Sequence, residues 1–211
     1  MRIAIFTETF LPKVDGIVTR LTRTLEQLQE LGHEALVFAP HDPPAEYAGH
    51  RVVRVPALSF RPWYPELCLG LPRPRLGREL DRFQPDVVHV LNPVVLGLWG
   101  STIAVQRDLP LLASFHTDIP NYVQHLNLSF LTPISKSILR DIHNLAHVNL
   151  CTSSQMMAAA RSIGIRRVRL WPRAIDTVTY HPSKRSAVMR ERLSGGEPHK
   201  PLLIYVGRLS N

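Results

Sequence analysis

The chain opens with MRIAIFTETFLPKVDGIVTRL (residues 1–21), which carries the first strand, loop and helix of the predicted fold. The apolar run Arg2–Phe6 predicts a buried strand that stops abruptly at Glu8. A loop with Lys13 follows and ends at Gly16. From residue 17 to 31 apolar residues recur at steps of four and three, which predicts an amphipathic helix. A strand, a polar loop and a helix together are typical of an α/β fold.

The same alternation of apolar strands and amphipathic helices continues along the chain. Further strands are predicted at 33–39, 51–55, 86–91, 111–115, 148–151 and 167–170, and helices at about 77–83, 94–106, 133–146 and 153–163. This rhythm indicates a Rossmann-like parallel sheet with helices on both faces. Two regions break it. Proline-rich residues 56–75 have no clear period, and after Trp171 the chain is irregular until a short helix, 186–193, and a buried strand at Leu202–Val206.

Composition limits the class of protein. The 211 residues are 45% hydrophobic and 20% charged, as in an ordinary globular protein, and the net charge of +8 suits nucleic acid, an anionic membrane or an acidic ligand. Cys68 and Cys151 form neither a zinc motif nor a disulfide framework, which favours a reducing cytosol. Residues 87–105 carry no acidic or basic side chain, but His89, Asn92 and Pro93 interrupt them. We therefore expect a buried strand and helix there, and no membrane span.

The first loop is a candidate ligand site. In open parallel sheets, ligands bind beyond the carboxyl ends of the strands. Gly16 at the start of a helix would offer free amides and the positive end of the helix dipole to a phosphate, Lys13 would add a charge, and Glu8 would hold a proton or a hydroxyl. The alternative is that Gly16 only permits the turn and Lys13 is solvated. Because the loop matches neither GxGxxG nor a P-loop, these residues alone leave both open.

Six stretches in order, TETFLPKVDGIVTRL, DVVHVLNPVVLG, ASFHTDIPNY, LCTSS, LWPRAIDTVTYHP and YVGRLS, resemble the family 4 retaining glycosyltransferases. Those enzymes have the B-type glycosyltransferase fold, in which two Rossmann-like domains face each other across a cleft. The resemblance implies that residues 1–171 form the N-terminal acceptor domain. Residues 172–211 would be the linker and first strand of a truncated C-terminal donor domain. Within the family, ETFLPKVDGIVTRL, YPEL, LPRP and LWPRAIDT most resemble the sulfoquinovosyltransferases that make sulfoquinovosyldiacylglycerol, with lipid mannosyltransferases as close relatives.

The family pattern assigns roles to matching positions. His116 would act at the donor sugar, and its place after a buried strand supports a site role, although a structural histidine beside Asp118 is the alternative. Gly16 and Arg208 would bind the donor diphosphate, and Lys13 is our candidate for a sulfonate on the donor. On the acceptor side we expect Asn92, Asp118 and Tyr122, whereas His89 inside its strand is expected to be core.

The expected reaction transfers a sugar from a nucleotide sugar, with UDP-sulfoquinovose favoured, to a lipid such as diacylglycerol, with retention. No DxD occurs in the chain, so fixed cations and helix dipoles would stabilise the leaving diphosphate, and we expect neither a metal nor a cofactor. The alternatives are a GDP-mannose-dependent or other lipid hexosyltransferase, or a non-catalytic membrane- or nucleotide-binding module. Residues 1–211 alone are expected to be inactive.

A mixture of cations and aromatic residues predicts docking to an anionic membrane surface, and hence a cytoplasmic, peripheral membrane protein. The residues are Arg61, Trp63, Tyr64, Arg73 and Arg75, with Arg20 and Arg23 of the first helix as possible additions. The alternative is a proline-rich loop whose aromatic residues pack on the sheet. Nucleic acid is not an expected partner, because the arginines do not alternate with aromatic residues on one surface. The missing GxGxxG disfavours a nicotinamide-dependent enzyme.

Overall fold

The structure is a computed structural model that describes residues 1–60, 64–91, 93–116, 132–172 and 177–205, with backbone only at 59, 60, 64–68 and 132. The chain divides into two compact units, Met1–Arg173 and Ala174–Asn211. The boundary expected from the sequence lies two residues earlier, after Trp171. The assignment of the second unit to a donor domain remains a prediction.

The first unit is built on one eight-stranded sheet. Its strands are β1 (Arg2–Phe6), β2 (Glu34–Pro40), β3 (Glu46–Tyr47), β4 (His50–Val55), β7 (Val87–Val90), β8 (Leu111–Phe115), β9 (Val148–Cys151) and β10 (Val168–Leu170). The spatial order is β10-β9-β8-β7-β1-β2-β4-β3, and every neighbouring pair is parallel except β3 and β4. β5 (Ala57–Phe60) and β6 (Tyr64–Gly70) form a separate antiparallel pair.

The helices of the first unit are α1 (Gly16–Glu30), α2 (Pro74–Phe83), α3 (Val95–Gln106), α4 (Thr132–Leu145) and α5 (Ser154–Ser162). Ser153 accepts a hydrogen bond from the Met156 amide at 3.2 Å and so caps α5, as the sequence predicts. In the second unit a 3₁₀ turn, Pro182–Lys184, precedes α6 (Ala187–Leu193). None of the helices in the described segments is both long and apolar enough to cross a bilayer.

The core lies on both faces of the sheet, because successive residues of β1 point to opposite sides. Ala4 and Phe6 belong to the cluster that α2 and α3 cover, which also contains Leu80, Leu96 and Ile103. Ile5 belongs to the cluster that α1 covers, with Leu21 and Leu25. The ring of Phe6 stacks on Phe38 at 4.5 Å. The predicted fold class, a Rossmann-like parallel sheet with helices on both faces, is confirmed.

Two predictions from the sequence are wrong. Residues 56–75 are not an irregular excursion, since they contain the β5–β6 hairpin and the start of α2. The prolines at 62 and 65 hide the strand alternation there, and Pro74 occupies the first turn of α2, where a missing N–H costs nothing. Residues 202–205 form no strand, and Leu203 is 98% exposed. The described part of the second unit contains no strand with which they could pair.

Candidate functional site

The loop after β1 is organised by Asp15. Its Oδ1 accepts hydrogen bonds from the amides of Ile17 and Val18, both at 2.9 Å, so this side chain caps α1. Its Oδ2 accepts a hydrogen bond from the Thr9 hydroxyl at 3.1 Å and lies 3.7 Å from Lys13 Nζ. The amides of Ile17 and Val18, at the start of the helix where a phosphate was predicted to bind, therefore already donate to the Asp15 carboxylate.

Gly16 is the first residue of α1 and is exposed. A Cβ built at this position meets no atom within 4 Å, and its backbone does not adopt a positive φ. Neither the turn nor the packing of described residues therefore requires glycine here. The space above the first turn of α1 is therefore open, and a side chain at this position would occupy it.

Glu8 is structural and does not hold a free proton or hydroxyl. Its Oε1 accepts a hydrogen bond from the Leu96 amide at 2.6 Å, and its Oε2 accepts one from Gly70 at 2.8 Å. The carboxylate thus supplies the cap that the N-cap residue of α3, Val94, lacks. Burial raises the pKa of Glu8, and the backbone hydrogen bonds oppose that shift. The side chain joins the first loop to α3 and to the end of the hairpin.

His116 lies directly after β8, at the carboxyl edge where the sequence places it. Its Nε2 is buried and has no hydrogen-bond partner in the part of the chain that the structure describes. Burial lowers the pKa of His116 to about 4, the positive charge of Arg20 adds to this shift, and Asp15 opposes it. The imidazole is therefore neutral at pH 7 and keeps one buried ring nitrogen for a further hydrogen bond.

Trp171 closes the site from the end of β10. Its ring centroid lies 6.1 Å from His116 and 5.5 Å from His89. Arg20 of α1 holds this tryptophan in two ways. Arg20 Cζ lies 4.5 Å from the ring centroid, and Nη1 donates a hydrogen bond to the Trp171 carbonyl at 2.8 Å. Arg20 therefore faces the site and does not join a docking surface with Arg23.

His89 is a buried core residue, as predicted. Its Nε2 lies 2.8 Å from Ser114 Oγ, and the pKa is lowered to about 3 by burial, with a smaller contribution from His116. His143 is also buried, and its Nδ1 lies 2.7 Å from Asn149 Oδ1. Nowhere among the described residues do three or more His, Cys, Asp or Glu side chains form a group that could hold a metal ion.

The structure brings together some of the predicted site residues. Asp15, which the sequence analysis passed over, precedes Gly16 in the chain and lies 3.7 Å from Lys13. Its charge also acts on His116, whose pKa it raises against the effect of burial. Asn92, Asp118, Tyr122 and Arg208 lie outside the described residues, as do Arg61 and Trp63 of the predicted docking set. The side chain of Tyr64 is also not described, whereas Arg73 and Arg75 are exposed at the start of α2.

Sequence reasoning also missed Trp171, and it assigned Arg20 to a docking surface instead of the site. Arg20 follows Gly16 by one helical turn, so its place near the loop was readable from the spacing. Its partner lies 151 residues further along the chain, and a single sequence carries no signal for that contact.

A model of Glycosyltransferase Family 4 matches residues 14–179, which include the end of the first loop with Asp15 and Gly16, His116 and Trp171. The chain belongs to glycosyltransferase family 4. Among solved structures, sucrose-phosphate synthase from Thermosynechococcus elongatus superposes with a TM-score of 0.62 and 16% identity, covering 92% of this chain and 52% of that one. That likeness shows a shared fold, consistent with a family 4 domain.

Two relatives are closer in sequence. A GDP-mannose-dependent alpha-mannosyltransferase of Mycobacterium tuberculosis (strain CDC 1551 / Oshkosh) is 38% identical, covering 100% of this chain and 56% of the relative. Sulfoquinovosyl transferase SQD2 of Arabidopsis thaliana is 35% identical, covering 99% of this chain and 42% of the relative. The family 4 chain thus spans about half the length of these relatives.

Proposed function

We propose that this family 4 protein transfers a sugar from a nucleotide-sugar donor to a lipid acceptor, and that residues 1–171 form its acceptor-side domain. The observation that carries the proposal is the neutral His116, with a buried and unpartnered Nε2 at the carboxyl edge of the sheet. A neutral imidazole can hydrogen-bond a sugar hydroxyl without competing for the donor's negative charge. The open first turn of α1 at Gly16 supports a diphosphate beside it.

In the proposed reaction, the bond between the anomeric carbon and the diphosphate oxygen breaks while a lipid hydroxyl oxygen attacks from the same face. Because the attacking oxygen takes the face that the diphosphate leaves, the configuration is retained. The acceptor proton passes to the leaving phosphate oxygen. His116 orients the donor sugar, and the amide of Gly16 stabilises the charge that develops on the diphosphate. In this scheme Arg208 neutralises the rest of the negative charge on the leaving diphosphate. No metal ion takes part in this scheme.

UDP-sulfoquinovose is the favoured donor, with diacylglycerol as acceptor. The plant sulfoquinovosyltransferase supports this choice, and Lys13 would contact the sulfonate. The Lys13 side chain is 37% exposed, and its ion pair with Asp15 spans 3.7 Å, so the ammonium can exchange that partner for an anionic substituent. GDP-mannose is the second candidate, because the mycobacterial mannosyltransferase is at least as similar in sequence.

Association with an anionic membrane surface is part of the same proposal, because a lipid acceptor must be reached from the bilayer. Arg73 and Arg75 are exposed on α2 and support it by charge. Arg61, Trp63 and Tyr64 complete the assigned docking set. Such a protein would work as a peripheral membrane enzyme on the cytoplasmic side.

The test incubates the intact natural protein with diacylglycerol in anionic vesicles, either UDP-sulfoquinovose or GDP-mannose, and EDTA. Mass spectrometry then identifies the lipid products. Sulfolipid formed despite chelation supports UDP-sulfoquinovose as donor and the metal-free scheme. Mannolipid instead would show that GDP-mannose is the donor. Lack of product from both donors, with or without added Mg²⁺, overturns the proposed transfer to diacylglycerol.

A variant tests the role of Lys13 separately. Lys13→Ala should reduce use of UDP-sulfoquinovose at least about tenfold, as expected for loss of a charged partner, and leave use of UDP-glucose unchanged. Arg23→Ala, which removes a cation from the exposed face of α1, is the matched control. Equal loss with both donors in Lys13→Ala would show that Lys13 supports the loop and not the sulfonate.

A further inference from the structure

A second candidate site lies away from His116, between β4 and the start of α2. A cavity of about 320 Å³ opens there. Its apolar lining includes Val52, Val53 and Leu76, which are at most 9% exposed. The residues that line it include four arginines, Arg51, Arg54, Arg73 and Arg75. We call this the arginine pocket.

The arginines of this pocket outnumber the carboxylates that could neutralise them. Glu79 is buried and accepts a hydrogen bond from Arg51 at 2.6 Å, and Arg75 and Arg82 lie 3.8 and 3.9 Å from its Oε1. One carboxylate thus serves three guanidinium groups, and these hold the pKa of Glu79 below its usual range. Glu79 is therefore ionised at pH 7, and its charge is already shared among these three arginines.

In the described segments, one other carboxylate lies within salt-bridge distance of a pocket arginine: Asp42, 2.8 Å from Arg54. Glu46 faces Arg51 across the pair of strands β3 and β4. Among the described residues, the four lining arginines and the neighbouring Arg82 thus face three carboxylates even when Glu46 is counted, and Arg73 has no ion pair there. An anion bound in the pocket would offset this excess of positive charge.

Two further features favour an anion over a cation or an apolar ligand. α2 begins at this pocket with no acidic residue in its first turn and no side-chain cap, so the positive end of its dipole adds to the arginine charge. Guanidinium groups also bind phosphate oxygens in a bidentate manner, which gives a phosphate an advantage over a simple halide.

We infer that the arginine pocket binds a phosphate group, carried either by a lipid headgroup or by a small soluble phosphate ester. The pocket is separate from the loop and histidine of the candidate transfer site, and the inference does not depend on transferase activity. If the phosphate belongs to a lipid, the pocket binds one headgroup specifically, in addition to the general attraction between basic residues and an anionic membrane.

The experiment compares two double variants of the full chain. Arg73→Gln/Arg75→Gln removes two charges from the pocket and leaves the Arg51–Glu79 hydrogen bond intact. Arg166→Gln/Arg169→Gln removes two charges from exposed positions at the opposite end of the sheet and serves as the control. Circular dichroism melting confirms that both fold. Binding is measured to glycerol 3-phosphate by calorimetry, and to phosphatidylcholine vesicles with and without phosphatidic acid by sedimentation.

We expect the pocket variant to bind at least one of the two probes about 30-fold more weakly, since a basic side chain near an anionic surface contributes roughly fivefold. The control should bind it within about twofold of wild type. Loss confined to vesicles assigns the phosphate to a lipid, and loss with glycerol 3-phosphate assigns it to a soluble ester. Wild-type protein that binds neither probe, or equal losses in both double variants, would overturn the site.

Discussion

Arg20 and Trp171 form the contact that ties the first helix to the end of the first unit. The guanidinium lies 4.5 Å from the centroid of the indole ring and donates a 2.8 Å hydrogen bond to the tryptophan's own carbonyl. The same indole lies beside His116, and the charge of Arg20 lowers the pKa of that histidine. One side chain therefore positions the tryptophan and adds to the effect of burial, which is the main reason that the pKa of the candidate catalytic imidazole is low.

Substitution of Arg20 separates these two effects. Arg20→Gln should raise the pKa of His116, because the positive charge that disfavours the imidazolium is gone, and should lower the free energy of unfolding by about 1–2 kcal/mol. Arg20→Lys should keep the pKa low but lose the planar stack on Trp171. An NMR titration of the His116 ring measures the pKa, and denaturant unfolding measures the stability.

Arg23→Gln is the matched control for Arg20, since it removes the same charge one turn away on an exposed face of α1. It should leave the His116 titration close to that of wild type. If Arg20→Gln leaves the histidine pKa unchanged while Arg23→Gln shifts it, the assignment of the charge effect to Arg20 is wrong.

Gly16→Ala should uncouple stability from activity. The new Cβ meets no atom within 4 Å and the backbone needs no positive φ, so the free energy of unfolding should stay the same or rise by up to about 1 kcal/mol. If the first turn of α1 contacts the donor diphosphate, the methyl group occupies that space, and the KM for the donor should rise at least about tenfold. Gln27→Ala, at an exposed position of the same helix, should change neither quantity. A variant with normal kinetics would exclude Gly16 from the donor site.

The stability of the chain should fall as the pH drops from about 6.5 towards 4. In the folded chain the pKa values of His89 and His116 are about 3 and about 4, well below the ordinary value of 6.5. Below pH 6.5 the unfolded chain therefore binds protons that the folded chain does not. Each histidine should cost about 1.4 kcal/mol per pH unit in this window, and none above it. Urea unfolding at about pH 7 and pH 5 measures the difference.

Histidine variants isolate this effect from that of Glu8, whose raised pKa has the opposite consequence for stability. His116→Gln should remove part of the destabilisation between the two pH values, because His89 and His143, whose pKa values burial also lowers, account for the rest. His199→Gln, at an exposed position of the second unit, should retain all of it. A wild-type chain whose stability is the same at both pH values, and a His116→Gln chain that matches it, would contradict the burial of neutral imidazoles.

Much of the fold is encoded in local patterns of this sequence. The strands Arg2–Phe6, Leu111–Phe115 and Val148–Cys151 match their predicted bounds. Short apolar runs between turn residues form buried parallel strands in an α/β protein, so the pattern alone was sufficient. The β5–β6 hairpin was missed because its pairing depends on partners across a turn and prolines mask the alternation. The strand predicted from Leu202 onward shows a limit of local patterns, since an apolar run becomes a strand only where another strand is available to pair with it.

The site was predictable in part for a related reason. The position of His116 follows from one rule, that functional groups gather at the carboxyl ends of parallel strands. The role of Asp15 as a cap was also readable, since an Asp immediately before a helix is a common N-cap. What the sequence could not give was the approach of Trp171 to His116 and Arg20, because that contact depends on how β8, β10 and α1 are placed by the whole sheet.

The measurement that tests the account most directly is the transfer rate of the intact natural protein carrying His116→Gln, with UDP-sulfoquinovose and with GDP-mannose. We expect kcat to fall at least about 100-fold with whichever donor the wild type uses, the magnitude typical of losing one positioned hydrogen-bonding group at a reacting centre. The free energy of unfolding at pH 7 should change little, since the buried Nε2 has no partner to lose among the described residues. A folded variant that transfers sugar at the wild-type rate would contradict the role of His116 and the site built around it.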